Sequence, residues 1–410
     1  MACTGLCDLL VQGGMDAGLA QFISLFFGVV LVATVPLLTV ILLIWVERKI
    51  AARIQDRIGP NRVGPLGLLQ TFADLMKLLI KEDITPAAAD RLLYNAAPIV
   101  SFASVVLIWA VVPFTPYHYG VDLEIGALYF VAVASFGTLA IMTAGWASNN
   151  KYALLGAFRV VALLVSYEIP LVFALLVPVL LAGSMSLVDI GYAQAGMWFV
   201  FMAPLAMVLF FISSQAETGR APFDLIEAES ELVAGFNIEY SGMKFGMFFA
   251  AEFLHVFTNA VLLAVLFMGA WFFPLWQEPL IGFFWLGVKA SLLYFISLWL
   301  RNTVPRLRID QVMSFNWFFL VPVSILNLLV TALLVMVMKE IGWVPLDVAG
   351  NMALQLGTTL ELLPMTVVLF ASNVLIMLPI FNRLRRIGRE QREAAEVRSR
   401  QRLALTPAGD

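Results

Sequence analysis

The chain has 410 residues, of which 61% are hydrophobic and 13% charged, and its mean hydropathy is +0.91. Soluble domains carry about 25% charged residues, so this composition excludes a soluble enzyme, a disordered chain and a nucleic-acid binder. It implies an integral membrane protein. Two Cys (Cys3, Cys7) and two His (His118, His255) are too few to build a haem, iron–sulfur or zinc site at ordinary ligand counts. No metal site is expected, and the net charge of −3 is too small to argue from.

In chain order, residues 1–21 read as an outer N-terminal tail. They lack the basic segment and small-residue cleavage site of a signal peptide, so the first span should be retained. A hydrocarbon layer about 30 Å thick takes about 20 apolar helical residues to cross. Nine stretches qualify, at residues 22–46, 95–113, 124–147, 153–182, 197–214, 245–270, 282–300, 317–338 and 362–381. Basic residues alternate with them. All Lys and Arg except Lys289 and Lys339 fall on the side reached after the first, third, fifth, seventh and ninth spans. Such residues mark cytoplasmic loops, which puts the N-terminus outside and the C-terminus in the cytoplasm. The expected fold is an all-α polytopic membrane protein of about nine transmembrane helices.

Between spans 1 and 2, a basic stretch and a Pro/Gly turn (GPNRVGP) precede an amphipathic helix. Leu68, Leu69, Phe72, Leu75, Met76 and Leu79 share one face, and Gln70, Asp74, Lys77 and Lys81 the other. It is too short and too charged to span, so it should lie in the membrane plane, as an anchor or as the frame of a lateral opening.

The loop after span 5 departs from the basic pattern. It carries Glu217, Asp224, Glu227, Glu229, Glu231 and Glu239 against Arg220 and Lys244, interleaved with Phe223, Leu225, Ile226, Leu232, Val233 and Phe236. A solvated charge run has few apolar residues. Carboxylates crowded in a partly buried site raise one another's pKa and can exchange protons near neutrality. A proton or cation site is the favoured reading over a solvated loop. Glu168 (followed by Pro170), Glu252 (with His255 one turn on) and Lys289 lie inside spans, where an ionisable group costs about 2.5–3.5 kcal/mol. Taken singly, each can be a structural pair or a snorkelling side chain. Together, below one acidic loop, they point to an ion path. His255 reads as a packing residue or a partner of Glu252.

Four blocks carry a resemblance: ERKIAARIQDRIGPNRVGPLGLLQTFADLMKLLIKED, SNNKYALLGAFRVVALLVSYEIP, AETGRAPFDLIEAESELVAGFNIEYSGMKFGMFFAAEF and RNTVPRLRIDQVMSFNW. In order and spacing over about residues 40–320 they closely resemble the membrane component that joins the two arms of respiratory complex I, the proton-pumping NADH:quinone oxidoreductase (the H subunit in bacteria, subunit 1 in mitochondria). The resemblance implies a family core of eight spans over residues 22–340, an additional ninth helix over 341–382 and an Arg-rich cytoplasmic tail over 383–410. It implies a quinone chamber lined by Arg48, Gln55, Arg57, Phe249 and Arg301. It also implies a charged path from that chamber into the membrane through Asp74, Glu168, Glu217, Asp224, Glu227, Glu229, Glu231 and Glu252; Lys289 is placed with that path for its position inside span 7. Quinone (ubiquinone or menaquinone) would be the substrate. FMN and iron–sulfur clusters would sit on partner subunits and no cofactor on this chain. The partners would be peripheral quinone-site subunits and antiporter-like membrane subunits, in contact with lipid and without nucleic acid.

A related scaffold occurs in membrane-bound hydrogenase and formate hydrogenlyase, where no quinone binds. The quinone-type loop motifs argue against that reading. A secondary transporter should show an inverted repeat, and none is visible between the two halves.

Overall fold

The computed structural model describes residue 11 and residues 16–115, 119–224, 234–272, 279–344 and 359–405. Among these the regular structure is helical, apart from one isolated bridge between Pro113 and Tyr119. Among the described residues eight helices are long and apolar enough to cross a membrane. In chain order the helices are α1 (Ala17–Ile54), α2 (Gln70–Ile80), α3 (Arg91–Ile108), α4 (Gly126–Ala147), α5 (Lys151–Ala182), α6 (Leu187–Ala193), α7 (Phe199–Met202), α8 (Pro204–Glu217), α9 (Gly242–Phe267), α10 (Pro279–Thr303), α11 (Ile309–Phe315), α12 (Val321–Ile341) and α13 (Thr359–Leu405). A five-residue π segment, Asn316–Leu320, joins α11 to α12, and the two run on as one span, Ile309–Ile341.

The fifth expected span differs from its sequence reading. Instead of one helix over 197–214, a four-residue α7 is followed by a fourteen-residue apolar α8. Pro204 is the cause: it has no N–H to donate and displaces the residue before it from helical geometry. Ala203 accordingly sits at φ −133°, ψ 59°.

Elsewhere local chemistry sets the ends. Asp90 accepts from Leu92 N–H at 3.1 Å to start α3, and Asn150 accepts from Tyr152 N–H at 2.9 Å to start α5. Both act as N-caps for donors that have no helical partner.

Burial separates inner from outer helices. In the apolar window of α9, 72% of residues are buried, and in α5 56%, against 18% in α1. α9 packs against α3, α10 and α1, while α5 packs against α4, α8 and α12. Phe22, Leu25, Phe26 and Val29 of α1 are exposed, an apolar outer face of the kind a spanning helix carries. Helix α5 approaches its neighbours through small residues. Gly156 lies against the Gly235 backbone, where a Cβ would come within 2.7 Å. Close approach through small residues is the usual way membrane helices pack. Here it seats the returning end of the acidic loop directly on α5.

Candidate functional site

One end of the bundle gathers the end of α1, the turn after α8, the first half of α9 and the end of α10. Arg220 is at its centre and is only 1% exposed. Its Nη1 lies 2.7 Å from Glu47 Oε1 and its Nε 3.3 Å from Glu252 Oε1. Its guanidinium carbon stands 4.6 Å from the centroid of the Phe253 ring. Glu47 also ion-pairs with Arg301 and accepts from Tyr294 Oη at 3.4 Å. Two carboxylates and two guanidiniums therefore balance inside the fold. Burying any one of them alone would be prohibitive, which is why they occur together. The turn itself is pinned: Ser297 Oγ donates to Gln215 Oε1 at 2.6 Å, and Leu307 N–H to Pro222 O at 3.0 Å.

Next to this cluster lies a cavity of about 70 Å³ whose polar lining includes Glu217, Glu252, His255, Ser101, Ser104 and Thr138. Glu217 Oε2 accepts from Asn259 Nδ2 at 3.4 Å. His255 Nε2 stands 4.0 Å from Glu217 Oε1 and, though buried, makes no hydrogen bond. The sequence reads His255 as a packing residue or a partner of Glu252; in the fold its Nε2 also approaches Glu217. Glu168, half-buried on α5, accepts from Ser135 Oγ at 2.5 Å and is close enough to Glu217 for the two carboxylates to interact. The α5 turn carrying Glu168 is fixed from two sides. Tyr167 Oη donates to Val312 O at 3.0 Å, and Asn316 Nδ2, in the π segment, donates to Ser166 O at 2.6 Å. Segments of π-helix recur at functional sites.

The remaining sequence candidates are dispersed. Phe249 lines the cavity and packs between Phe245 and Phe253, with ring centroids at 5.9 and 4.7 Å. Arg48 ion-pairs with Asp74, which also accepts from Gln70 Nε2 at 3.2 Å, tying α1 to α2. At the end of α1, Arg57 Nε donates to Gln55 Oε1 at 2.7 Å, and both side chains are exposed. Asp224 is half-buried just beyond the pinned turn. Glu227, Glu229 and Glu231 lie outside the described residues.

Glu239, the last acid of the loop, is held by Asn150 Nδ2 at 2.7 Å. Next to it Tyr240 stacks on Tyr94 with centroids 4.3 Å apart and donates to Tyr94 O at 3.2 Å. Burial first, and then the Tyr94 phenol, push the Tyr240 phenol above its ordinary pKa, so it stays a neutral donor.

Lys289 stands apart from these acids. Its Nζ donates to the carbonyls of Met268, Ala270 and Phe272 at 2.7, 3.0 and 2.8 Å. It lies twelve residues before Arg301 on α10, roughly 18 Å along the axis. Among the described residues no group of three or more His, Cys, Asp or Glu side chains could hold a metal ion.

Two members of the cluster escape sequence reading. Glu47 precedes the candidate Arg48 at the close of an apolar run, and Arg220 reads as one more topology-setting cation. The usable signal is a carboxylate placed where hydrocarbon ends, and a lone Arg among acids.

These features define a polytopic helical membrane protein that keeps a balanced ion cluster beside a carboxylate-lined internal cavity. The chain belongs to the NADH dehydrogenase family, whose profile matches residues 27–332, and more narrowly to the membrane subunits of NADH:quinone oxidoreductase. It is 48% identical over 314 residues to the NADH-quinone oxidoreductase H subunit of Geobacillus thermodenitrificans, covering 76% of this chain and 95% of that relative. To the H subunit of Geobacillus kaustophilus it is 49% identical over 312 residues, covering 76% and 94%. To that of Dehalococcoides mccartyi it is 45% identical over 343 residues, covering 83% and 94%.

Proposed function

We propose that this membrane subunit forms part of the quinone chamber of a proton-translocating NADH:quinone oxidoreductase and converts quinone reduction into proton movement. The observation that carries the reading is the cavity shared by Glu217, Glu252 and His255 beside the Glu47–Arg220–Arg301 cluster. Reduction of a quinone takes up two electrons and two protons, so it creates both charge and proton demand at the chamber. Arg48, Gln55, Arg57 and Arg301 would supply donors to the quinone oxygens, and Phe249 an aromatic wall. Asp224, Glu227, Glu229 and Glu231 would sense the change, with Asp74 beside them through Arg48. Glu252, Glu217 and Glu168 would pass it inward, and His255, 4.0 Å from Glu217 with a free nitrogen, is a further carrier. The position of Lys289 on three carbonyls suits a structural cap better than a member of this chain of acids.

The protein would cross a bacterial inner membrane nine times, α7–α8 serving as the interrupted fifth span, with its N-terminus outside. Electrons would arrive through FMN and iron–sulfur clusters on peripheral partner subunits. Antiporter-like membrane subunits would receive the protonation change. The four quinone-type motif blocks support this reading over a hydrogenase scaffold.

The test is Glu217→Gln and His255→Leu in the assembled enzyme, measured in inverted membrane vesicles. Glu217→Gln should cut quinone-linked NADH oxidation and the associated proton uptake at least tenfold while leaving NADH oxidation by a water-soluble acceptor unchanged. His255→Leu should cut both, and displace the pH optimum, as removal of a positioned proton carrier does. Wild-type turnover and proton uptake in Glu217→Gln would rule out the path through this cavity.

A further inference from the structure

The break between α7 and α8 leaves polar backbone in the membrane interior, and its remedy comes from a distant helix. Leu205, the second residue of α8, has one of the N–H groups that a helix start cannot satisfy internally. It donates to Asn373 Oδ1 at 3.2 Å. Asn373 Nδ2 donates back across the break to Met202 O at 3.4 Å and to Leu369 O of its own helix at 2.7 Å. Asn373 is 1% exposed and Ala203 and Met202 are fully buried, so no water competes. In hydrocarbon such freed backbone groups are tolerated only where protein satisfies them.

Asn373 belongs to α13, outside the family-matched stretch 27–332. The helix is built to reach this point. Leu362, Met365 and Leu369 are fully buried, with Thr366 close to it, and with Asn373 they form one seam at helical spacing. That seam packs on α7, α8 and α12. From Leu205, α8 runs roughly 18 Å to Glu217, and the pinned turn with Arg220 follows.

We propose that Asn373 is a positioning residue: it latches the hinge at Ala203–Pro204 and thereby sets the angle at which α8 delivers Glu217 to the cavity and Arg220 to the ion cluster. The extra helix is thus a splint for an interrupted span. The latch stands on geometry alone; its consequence for turnover rests on the proposed function.

The experiment uses the purified whole complex with Asn373→Leu, which keeps the branched skeleton and removes the amide, and Asn373→Asp, which keeps an acceptor for Leu205 N–H. Hydrogen exchange of the peptide over residues 200–208 should accelerate about tenfold in Asn373→Leu, the loss of one buried hydrogen bond, and much less in Asn373→Asp. Quinone-linked turnover should fall severalfold in Asn373→Leu and recover in Asn373→Asp, with NADH oxidation by a water-soluble acceptor constant. Unchanged exchange in Asn373→Leu overturns the latch. Faster exchange with wild-type quinone turnover overturns the positioning role, provided Glu217→Gln does impair turnover; if neither variant impairs it, the proposed function is what fails. Should Asn373→Leu not assemble, adding Pro204→Ala, which returns an N–H to the break, should restore assembly. Absence of that rescue counts against the latch.

Discussion

Arg220 and Glu47, 173 positions apart in the chain, meet in a buried ion pair of 2.7 Å. The pair joins the end of α1 to the turn after α8, and through Glu252 and Arg301 it draws in α9 and α10. Four elements are thus held by one set of charges. Breaking a buried pair by removing a single partner costs about 3–5 kcal/mol, because the other charge stays buried without compensation. Arg220→Ala should therefore sharply lower the yield of intact complex. Arg220→Lys should restore it only in part, since an ammonium cannot reach Glu47 and Glu252 at once and stack on Phe253 as the planar guanidinium does. The double variant Arg220→Met with Glu252→Gln should assemble better than Arg220→Met alone, because Glu47 keeps Arg301 as its partner and Glu252 is the charge left over. Native gel analysis and the temperature of half-inactivation check all three.

Lys289 gives the opposite expectation. Its three carbonyl partners lie at and just beyond the C-terminal end of α9, and its ammonium stands 4.4 Å from the Trp198 ring centroid. A cation at that end satisfies carbonyls that have no helical donor and opposes the negative end of the helix dipole. Lys289→Met should cost about 2 kcal/mol of stability, the scale of a hydrogen bond to a charged group. It should lower the midpoint of thermal inactivation by several degrees. Turnover and proton uptake per intact complex should stay near wild type. A variant of normal thermal stability that had lost proton uptake would return Lys289 to the ion path.

The spans are legible because lipid imposes one pattern on them: a run of apolar residues long enough to cross, with basic residues at alternate ends. Eight of the nine expected stretches correspond to helices of spanning length. The fifth differs in form because hydropathy does not register what Pro204 does to the ladder, while the phase of the apolar run continues through it. The first is expected at 22–46, yet α1 runs on to Ile54, since the helix persists after the hydrocarbon pattern stops. That overrun is what carries Glu47 and Arg48 to their partners. The site is less legible. Individual ionisable residues stand out in an apolar chain, but their pairings join positions 173 and 254 apart, and no local pattern encodes such a separation. Helical spacing puts His255 beside Glu252, whereas Glu217, which it also approaches, comes from another helix.

Helix α2 offers a test of membrane placement. Leu69, Phe72, Met76 and Leu79 are exposed along one side, whereas Asp74 on the other is tied to Arg48 and Gln70. Fully burying such a side chain in an apolar medium is worth about 1.5–3 kcal/mol, so four exposed together would be a heavy cost in water and none in lipid. The helix should therefore lie along the membrane with Phe72 and Leu79 immersed and Lys77 in the headgroup layer. In a chain with Cys3 and Cys7 replaced by Ser, Leu79→Cys in membrane vesicles should react with a lipid-soluble maleimide and resist a membrane-impermeant one. Lys77→Cys, two residues away, should react with both. Equal reaction of Leu79→Cys with the impermeant reagent would mean that this face meets water rather than lipid. In that case Phe72→Ser and Leu79→Ser should leave the KM for a long-tailed quinone unaltered; with the face in lipid, the same pair should raise it.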